Sequence, residues 1–395
     1  MSKKIFNILF ISIFSAMLGL GIIAPLLPAY AKGLGATGLW LGIIFAGFSF
    51  SRVVFMPIIG RISDKRGRKK FICSGLLLYS LISLLYPLAK GVYSLTVIRL
   101  IHGFASSLVV PIAMAYVGET VDKGKEGVSM GTFSMALFLG MGAGPFLGGL
   151  LNDTFGINSA FYAMGALTAI AFLISFIFLP DVQRKAVNKQ KEKVFSFKYV
   201  ISNNIIKGML IFRAVIAMGR GGIMAFLPLF ASKINVSPSG IGVIISSNIF
   251  LTALLQRPFG MLADKHSKFH LIIVGSSIAA LSLIMVSFSR NFWELFFISI
   301  LMGVGAALAI PSAQALTVKV GKTLGMGVSM GMFSMAMSIG MIAAPLISGI
   351  VMDVLGIKFV FYISGVIMFC GAFVFYYYFR KEQKNTPLLA VKTFV

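Results

Sequence analysis

The sequence predicts an all-α membrane protein with twelve transmembrane helices in two pseudo-symmetric six-helix bundles. Three observations lead to this fold class. The 395-residue chain is 58% hydrophobic and 12% charged, with a mean hydropathy of +0.95, so a water-soluble core cannot hide its apolar surface. It contains twelve apolar stretches of membrane-spanning length. It also repeats itself at an offset of 200 residues.

The repeat aligns without gaps. Residues 128–165 lie over residues 328–365, and half of the positions are identical. The same offset pairs Gly60 with Gly260 and Asp64 with Asp264. Two copies of one unit in so apolar a chain predict a protein whose two halves rock about a site between them.

Glycines, prolines and charge clusters divide the apolar sequence into segments of roughly 20 residues, and a helix of that length crosses a ~30 Å hydrocarbon layer. The runs are continuous and lack the two-residue alternation of a barrel strand, which favours helices throughout. In chain order the predicted helices cover 6–30, 38–60, 71–89, 94–118, 128–151, 159–179, 205–231, 238–262, 271–289, 294–318, 328–351 and 359–379.

The first segment has a basic start at Lys3 and Lys4, as signal peptides do. It is full-length and no small-residue cleavage site follows, so we interpret it as an uncleaved span. Between the sixth and seventh segments, residues 180–204 are the only long polar stretch. The predicted organisation is therefore a bundle over 1–179, a cytoplasmic linker over 180–204, a bundle over 205–379 and a cytoplasmic tail over 380–395.

The formal net charge of +24 would indicate nucleic-acid binding in a soluble chain, but its distribution indicates membrane orientation. With the N-terminus inside, 25 of the 35 Lys and Arg fall in cytoplasmic segments and 5 in external loops. This asymmetry predicts that both termini are cytoplasmic. We therefore expect a bilayer and no nucleic acid as partner, in a bacterial cytoplasmic membrane whose anionic inner leaflet suits the basic segments.

The sequence after the second predicted helix carries the most specific motif. It reads GRISDKRGRKK from Gly60 to Lys70 and includes Asp64, Gly67 and Arg68. Glycines permit tight turns, and a carboxylate is stabilised at the positive N-terminus of a helix. The spacing resembles G-x-L-x-D-[RK]-x-G-R-[RK], the cytoplasmic signature of the major facilitator superfamily, and the chain is identified as a member of it.

In proteins of that superfamily this loop latches the two halves closed on the cytoplasmic side. The resemblance implies a conformational latch made of Gly60, Asp64, Gly67, Arg68 and Lys69, with Asp64 at the start of the helix predicted over 328–351. Arg68 would lie near an acid that ends the fourth helix, for which Glu119 and Asp122 are the matching residues. The second copy of the motif is degenerate, since Ser267 replaces its second glycine.

A second motif lies in the helix predicted over 128–151. The series Gly140, Gly144, Pro145, Gly148 and Gly149 resembles the G-x-x-x-G-P-x-x-G-G element of the drug:proton antiporter branch. Glycines four residues apart give a smooth face for close helix contact, and the proline permits a kink. The resemblance implies that this helix seals the interface between halves, while the simpler interpretation is helix packing.

A third element pairs Arg99 with His102 in the fourth helix and resembles a family element linked to proton handling. Residues three apart share a helix face and can couple electrostatically. Both are therefore candidates for proton coupling. In an alternative interpretation, Arg99 extends its guanidinium to the external interface.

The charges inside the predicted helices are unusual for an exporter of cations. All eleven Asp and Glu fall in loops or near helix ends, whereas five arginines lie within helices: Arg52, Arg99, Arg213, Arg220 and Arg257. A charge within a membrane span usually faces a cavity or a partner. We expect Arg52 and Arg257 to extend toward the interface or to pair with the latch loops.

The superfamily lines its central cavity with the first and seventh helices. The candidate substrate-cavity residues are Arg213, Arg220, Met17, Met218 and Phe226. These arginines predict an electropositive cavity that favours anionic or neutral amphiphiles, while in the alternative interpretation Arg213 reaches the interface and Arg220 bonds to backbone carbonyls.

The sequence thus predicts a secondary efflux transporter of small amphiphilic molecules or drugs, working by alternating access with proton antiport implied by the resemblance. An exporter or exchanger of an anionic or neutral metabolite remains an alternative. The three histidines show no cluster with acids or serines, and no nucleotide-binding loop is present. We therefore expect neither an enzyme nor a cofactor or metal. We also expect the transporter to be a monomer.

Overall fold

A computed structural model describes residues 3–24, 26–36, 38–122, 124–180 and 204–385. These residues form thirteen α-helices and a short 3-10 turn at Tyr86–Leu88. The helices are α1 Lys3–Ile23, α2 Leu27–Gly33, α3 Gly38–Arg66, α4 Lys69–Leu85, α5 Val92–Thr120, α6 Glu126–Phe155, α7 Ile157–Phe178, α8 Asn204–Lys233, α9 Pro238–Lys265, α10 Lys268–Val286, α11 Phe292–Leu324, α12 Met326–Leu355 and α13 Ile357–Asn385.

Eleven helices within the described residues are long and apolar enough to cross a membrane. Many large apolar side chains on these helices are exposed, among them Phe146, Phe155 and Phe373. Such a surface suits lipid rather than water. The predicted all-α membrane class is therefore confirmed.

The chain divides into two compact units. The first contains α1 to α5, α7, the part of α6 from Ala136 onward, and the segment Gly325–Gly331. The second contains α8 to α11, α13, the part of α12 from Met332 onward, and the start of α6 up to Met135. The first turns of α6 and α12 thus group with helices of the opposite repeat.

The two units repeat one packing scheme. In the first, the main helix contacts are α3 with α5, α1 with α7, α4 with α7 and α4 with α5. In the second, the same scheme appears as α9 with α11, α8 with α13, α10 with α13 and α10 with α11. The sequence duplication is therefore also a structural one. The proposed division at 179, 204 and 379 stays a prediction, and residues 181–203 and 386–395 lie outside the described part of the chain.

Two features differ from the predicted segments. The first predicted helix, 6–30, is interrupted: α1 ends at Ile23, and α2 begins at Leu27 with Pro28 in its first turn, where a missing N–H costs nothing. The helix expected over 38–60 continues to Arg66, so Gly60 and Asp64 are helical rather than in a loop. Only Gly67 and Arg68 separate α3 from α4, and Gly67 has a φ of +86°, which favours glycine.

Candidate functional site

The first aspartate of the repeated motif caps a helix start far away in the sequence. Asp64 Oδ1 accepts a hydrogen bond from the Gly327 backbone N–H at 2.8 Å, and Oδ2 accepts one from Val328 at 3.0 Å. These N–H groups belong to the first turn of α12, where no intrahelical carbonyl is available to them. The carboxylate also lies at the positive end of the helix dipole.

Arg68 connects this cap to α5. Its Nη2 lies 2.5 Å from Asp64 Oδ1 and 2.7 Å from Glu119 Oε1, and its Nε donates to Glu119 Oε2 at 3.2 Å. Its Nη1 donates to the Ser63 hydroxyl. Arg68 is 1% exposed. The structure thus brings Asp64, Arg68 and Glu119 into one network, and we call these three residues with the start of α12 the first latch.

The charge state of Arg68 follows from these contacts. Burial lowers the pKa of its guanidinium, but the hydrogen bonds and negative charges of Glu119 and Asp64 outweigh burial and raise the pKa above the usual arginine value. The guanidinium therefore stays protonated at every physiological pH.

The other predicted latch residues take different places. Gly60 lies against the α12 start, where a Cβ would meet the Gly327 carbonyl oxygen. The Lys69 ammonium lies 5.8 Å from the Phe176 ring centroid. Asp122 is exposed beyond the end of α5.

The second motif copy makes the same cap. Asp264 Oδ1 accepts from the Gly127 N–H at 2.5 Å and Oδ2 from Val128 at 2.8 Å, in the first turn of α6. We call this contact the second latch. Lys268 and Lys319 stand where the first repeat has Arg68 and Glu119.

An ion pair beside the second latch was not predicted. Glu126 Oε1 accepts from the Lys322 ammonium at 2.7 Å, and Glu126 Oε2 accepts from the Gly124 N–H at 2.9 Å. The two side chains come from residues 196 positions apart. The only signal in the sequence for this pairing is the opposite charge of the two residues. The repeat gives no guide, because the first repeat has Asp122 where the second has Lys322.

Three of the four motif glycines of α6 face the backbone of α1. A Cβ at Gly140 would meet the Phe14 carbonyl oxygen, and one at Gly148 would meet that of Ile22. Gly144 faces Gly21 itself. Gly149 meets nothing within 4 Å, and Pro145 is exposed. The motif therefore contains both a contact face and an open one.

Arg99 and His102 are both buried in the first unit. The Arg99 guanidinium lies over the Phe48 ring, 4.4 Å from its centroid, and Nε donates to the Ile44 carbonyl at 3.4 Å. His102 Nδ1 is 2.8 Å from the Tyr86 hydroxyl. The alternative that Arg99 reaches the external interface is wrong, because the side chain packs inward.

Arg52 also points inward. We expected it to extend toward the interface or the latch loops, but it is buried, and its guanidinium lies 5.4 Å from the Phe48 centroid. That expectation is wrong because α3 turns this position toward α5. A sequence that is apolar on every helix face gives no signal for such an orientation.

The candidate cavity residues differ in their surroundings. The Arg213 guanidinium lies 4.8 Å from the Phe333 centroid, and its Nη2 donates to the Met337 sulphur at 2.9 Å. Met17 and Phe226 are buried, and Met218 is half-buried. The side chain of Arg220 lies outside the described part of the structure.

These observations indicate a duplicated, membrane-spanning helical protein. In each repeat an aspartate at the equivalent position caps a distant helix start. Sequence comparison names the family. Residues 9–217 and 209–393 each match the profile of the Major Facilitator Superfamily. The chain therefore belongs to this superfamily of membrane transporters, and it is a transporter of small molecules rather than an enzyme.

Individual relatives cover almost the whole chain. An uncharacterized MFS-type transporter of Methanocaldococcus jannaschii is 34% identical over 374 residues, which are 93% of this chain and 95% of the relative. The quinolone resistance protein NorA of Staphylococcus aureus is 28% identical over 361 residues, 90% of this chain and 91% of NorA. The resemblance to the multidrug efflux branch is thus supported by sequence.

The fold also matches a solved structure. The crystal structure of the human organic anion transporter TETRAN superposes with a TM-score of 0.83, covering 94% of this chain and 99% of that one. The two sequences are 16% identical. At this level of identity the match concerns the fold, and it confirms the predicted fold class.

Proposed function

We propose that this chain is a secondary active exporter of small amphiphilic molecules or drugs that works by alternating access. The observation that carries the proposal is the first latch, in which an aspartate of one repeat holds the start of a helix from the other. Similarity to a quinolone resistance protein favours export of drug-like solutes.

The latches give alternating access a physical basis. Each contact joins segments that are far apart in the chain, 263 residues for Asp64 and Gly327 and 137 for Asp264 and Gly127. Charge-assisted hydrogen bonds of this kind are each worth about 1.5–3 kcal/mol. Binding of a substrate or an ion can offset the free energy needed to break the two hydrogen bonds of one latch. The latches can therefore stabilise one conformation without preventing the other.

Proton antiport is part of the proposal and derives from the family resemblance. Arg99 and His102 are the residues proposed to take part in it. We further propose a bacterial cytoplasmic membrane, both termini in the cytoplasm and a monomeric transporter. The positive-inside asymmetry of the sequence supports this orientation.

The test uses the full chain in proteoliposomes. With an imposed pH gradient, we expect uphill movement of a fluorescent amphiphile that stops when an ionophore collapses the gradient. Uphill movement that survives the collapse would remove proton coupling alone. No movement under any gradient, with folded protein present, would contradict the exporter. Cysteine labelling at Arg66, an exposed residue beside the first latch, tests the cytoplasmic orientation.

A second candidate function is export or exchange of an anionic or neutral metabolite on the same scaffold. The specific observation in its favour is that Arg52 and Arg99 are buried in the first unit. Metabolite analysis of cells overproducing the chain, beside growth on a drug panel, separates the two candidates.

A further inference from the structure

Two positive charges are buried side by side in the first unit, away from the first latch. Arg52 of α3 is 8% exposed and Arg99 of α5 is 5% exposed. Their guanidinium carbons lie 5.4 and 4.4 Å from the centroid of the same Phe48 ring. The two cations therefore share one aromatic neighbour and are no farther apart than the sum of those distances.

Helices α1 to α5 contain no acidic residue apart from Asp64 and Glu119. Residues 1–63 and 65–118 contain no Asp or Glu. The nearest acids along α3 and α5 are Asp64 and Glu119, about 18 and 30 Å away at the helical rise, and both are engaged by Arg68. Two buried like charges without an anion are strongly unfavourable in a membrane-embedded bundle.

Within the described residues, two buried hydrogen-bond donors in this group, one on Arg52 and one on His102, lack partners. The His102 ring centroid is 5.3 Å from that of Phe48, so the imidazole belongs to the same group. Within the described residues, His102 Nε2 and Arg52 Nε are buried and make no hydrogen bond. When the Tyr86 hydroxyl donates to Nδ1, the neutral imidazole carries its proton on Nε2 and offers a donor. Buried donors are normally hydrogen-bonded.

We propose that Arg52, Arg99 and His102 form a binding site for a monovalent anionic group, such as the carboxylate of an amphiphilic solute. The inference deepens the proposed function, on which it rests, by giving the charge of the substrate. A carboxylate balances the buried charge and accepts from the unsatisfied donors, and arginine matches its planar geometry. A cationic solute would be repelled by both guanidinium groups.

The Phe48 ring gives the competing explanation. A guanidinium over an aromatic face is stabilised by cation–π attraction. That contact, together with the Ile44 carbonyl bound by Arg99 and with water, could hold both arginines without an anion. The two explanations differ in one observable. Only an anion site distinguishes a carboxylate from a neutral solute of the same shape.

The experiment measures binding to the purified full chain by calorimetry in detergent. The probes are 1-naphthoate and 1-naphthamide, which differ in charge at one group. We expect naphthoate to bind at least tenfold more tightly than naphthamide. Arg52→Gln and Arg99→Gln should each weaken naphthoate binding at least tenfold and remove the preference. Arg290→Gln, which removes the same charge from an exposed loop residue, should bind naphthoate as the wild type does.

Equal affinity of the wild type for the two probes would overturn the proposal without any variant. Unchanged naphthoate affinity in a folded Arg52→Gln protein would also overturn it. If the buried-arginine variants fail to fold, a competition experiment on the wild type replaces them. The anion tetraphenylborate should displace naphthoate, and the cation tetraphenylphosphonium should not. Equal displacement by both ions would contradict the site. Export of neutral or cationic solutes by a protein that does not bind naphthoate would refute the anion site alone. Naphthoate binding without any uphill transport would refute the proposed exporter alone.

Discussion

Asp64 and Asp264 stand 200 residues apart and make the same pair of contacts. Each carboxylate accepts one hydrogen bond from the second residue and one from the third residue of a helix of the opposite repeat. Their surroundings differ, because Arg68 and Glu119 complete the first latch while lysines occupy both positions beside the second. The duplication has thus kept the helix cap and changed the charges that support it.

Neutralising the first cap should impair transport more than folding. In Asp64→Asn the side chain is uncharged and keeps only one oxygen, so it can no longer accept charge-assisted bonds from both backbone N–H groups. Arg68 also loses one of its two carboxylate partners. At about 1.5–3 kcal/mol for each such bond, we expect uphill efflux from proteoliposomes to fall at least about tenfold. Glu294→Gln, which neutralises a carboxylate near the start of α11, is the matched control. Normal efflux in Asp64→Asn would contradict a role for the cap.

Arg68 and Glu119 should be energetically coupled. Arg68→Gln leaves two carboxylates close together without their cation, and removing one partner of a buried pair costs about 3–5 kcal/mol. Glu119→Gln should cost less, because Asp64 still neutralises Arg68 and Glu119 is partly solvated. Thermal unfolding of both single variants and the double variant in detergent measures the coupling. Additive losses would show that the two side chains act independently.

Adjacent glycines of α6 should respond oppositely to one methyl group. Gly148→Ala places a Cβ against the Ile22 carbonyl oxygen, and such overpacking costs about 1–3 kcal/mol. Gly149→Ala meets nothing within 4 Å and should be neutral or gain up to about 1 kcal/mol of helix propensity. Melting temperatures of the two variants provide the comparison. Equal destabilisation would mean that both faces of α6 are packed.

Gln256 offers a stabilising substitution. Within the described residues its side-chain nitrogen and oxygen are buried and make no hydrogen bond. The first repeat has Met56 at the corresponding position, also buried. Since an unsatisfied buried amide costs about 1–3 kcal/mol, we expect Gln256→Met to raise the melting temperature. A lower melting temperature would indicate that the amide is satisfied by water or solute in the membrane.

Much of this arrangement could be predicted from the sequence. The offset of 200 residues predicted the duplication. The family resemblance carried by the residues from Gly60 to Lys70 implied that Asp64 would lie at a helix start near residue 328. Periodic spacing of glycines in α6 indicated a contact face. These features depend on local motifs, which survive in the linear sequence.

The inward orientation of Arg52 and the pairing of Glu126 with Lys322 could not be predicted. In a helix that is apolar all round, hydrophobic periodicity does not say which side faces lipid and which faces a neighbour. An ion pair between residues 196 positions apart depends on how helices pack. The break after Ile23 was missed because an apolar stretch containing prolines can be one bent helix or two.

A reversible crosslink across the first latch tests whether transport requires this latch to open. A Cβ on Gly327 would lie 2.9 Å from the Ser63 hydroxyl oxygen, within reach of a disulfide. It would also meet the Arg68 guanidinium and the Gly60 carbonyl oxygen, so the reduced Gly327→Cys variant must itself show uphill efflux. Uphill efflux is measured for Ser63→Cys with Gly327→Cys, after replacing Cys73 and Cys370 by alanine, with each single variant as a control. We expect oxidation to stop efflux and reduction to restore it. Full efflux by the crosslinked protein would contradict the claim that transport requires this latch to open.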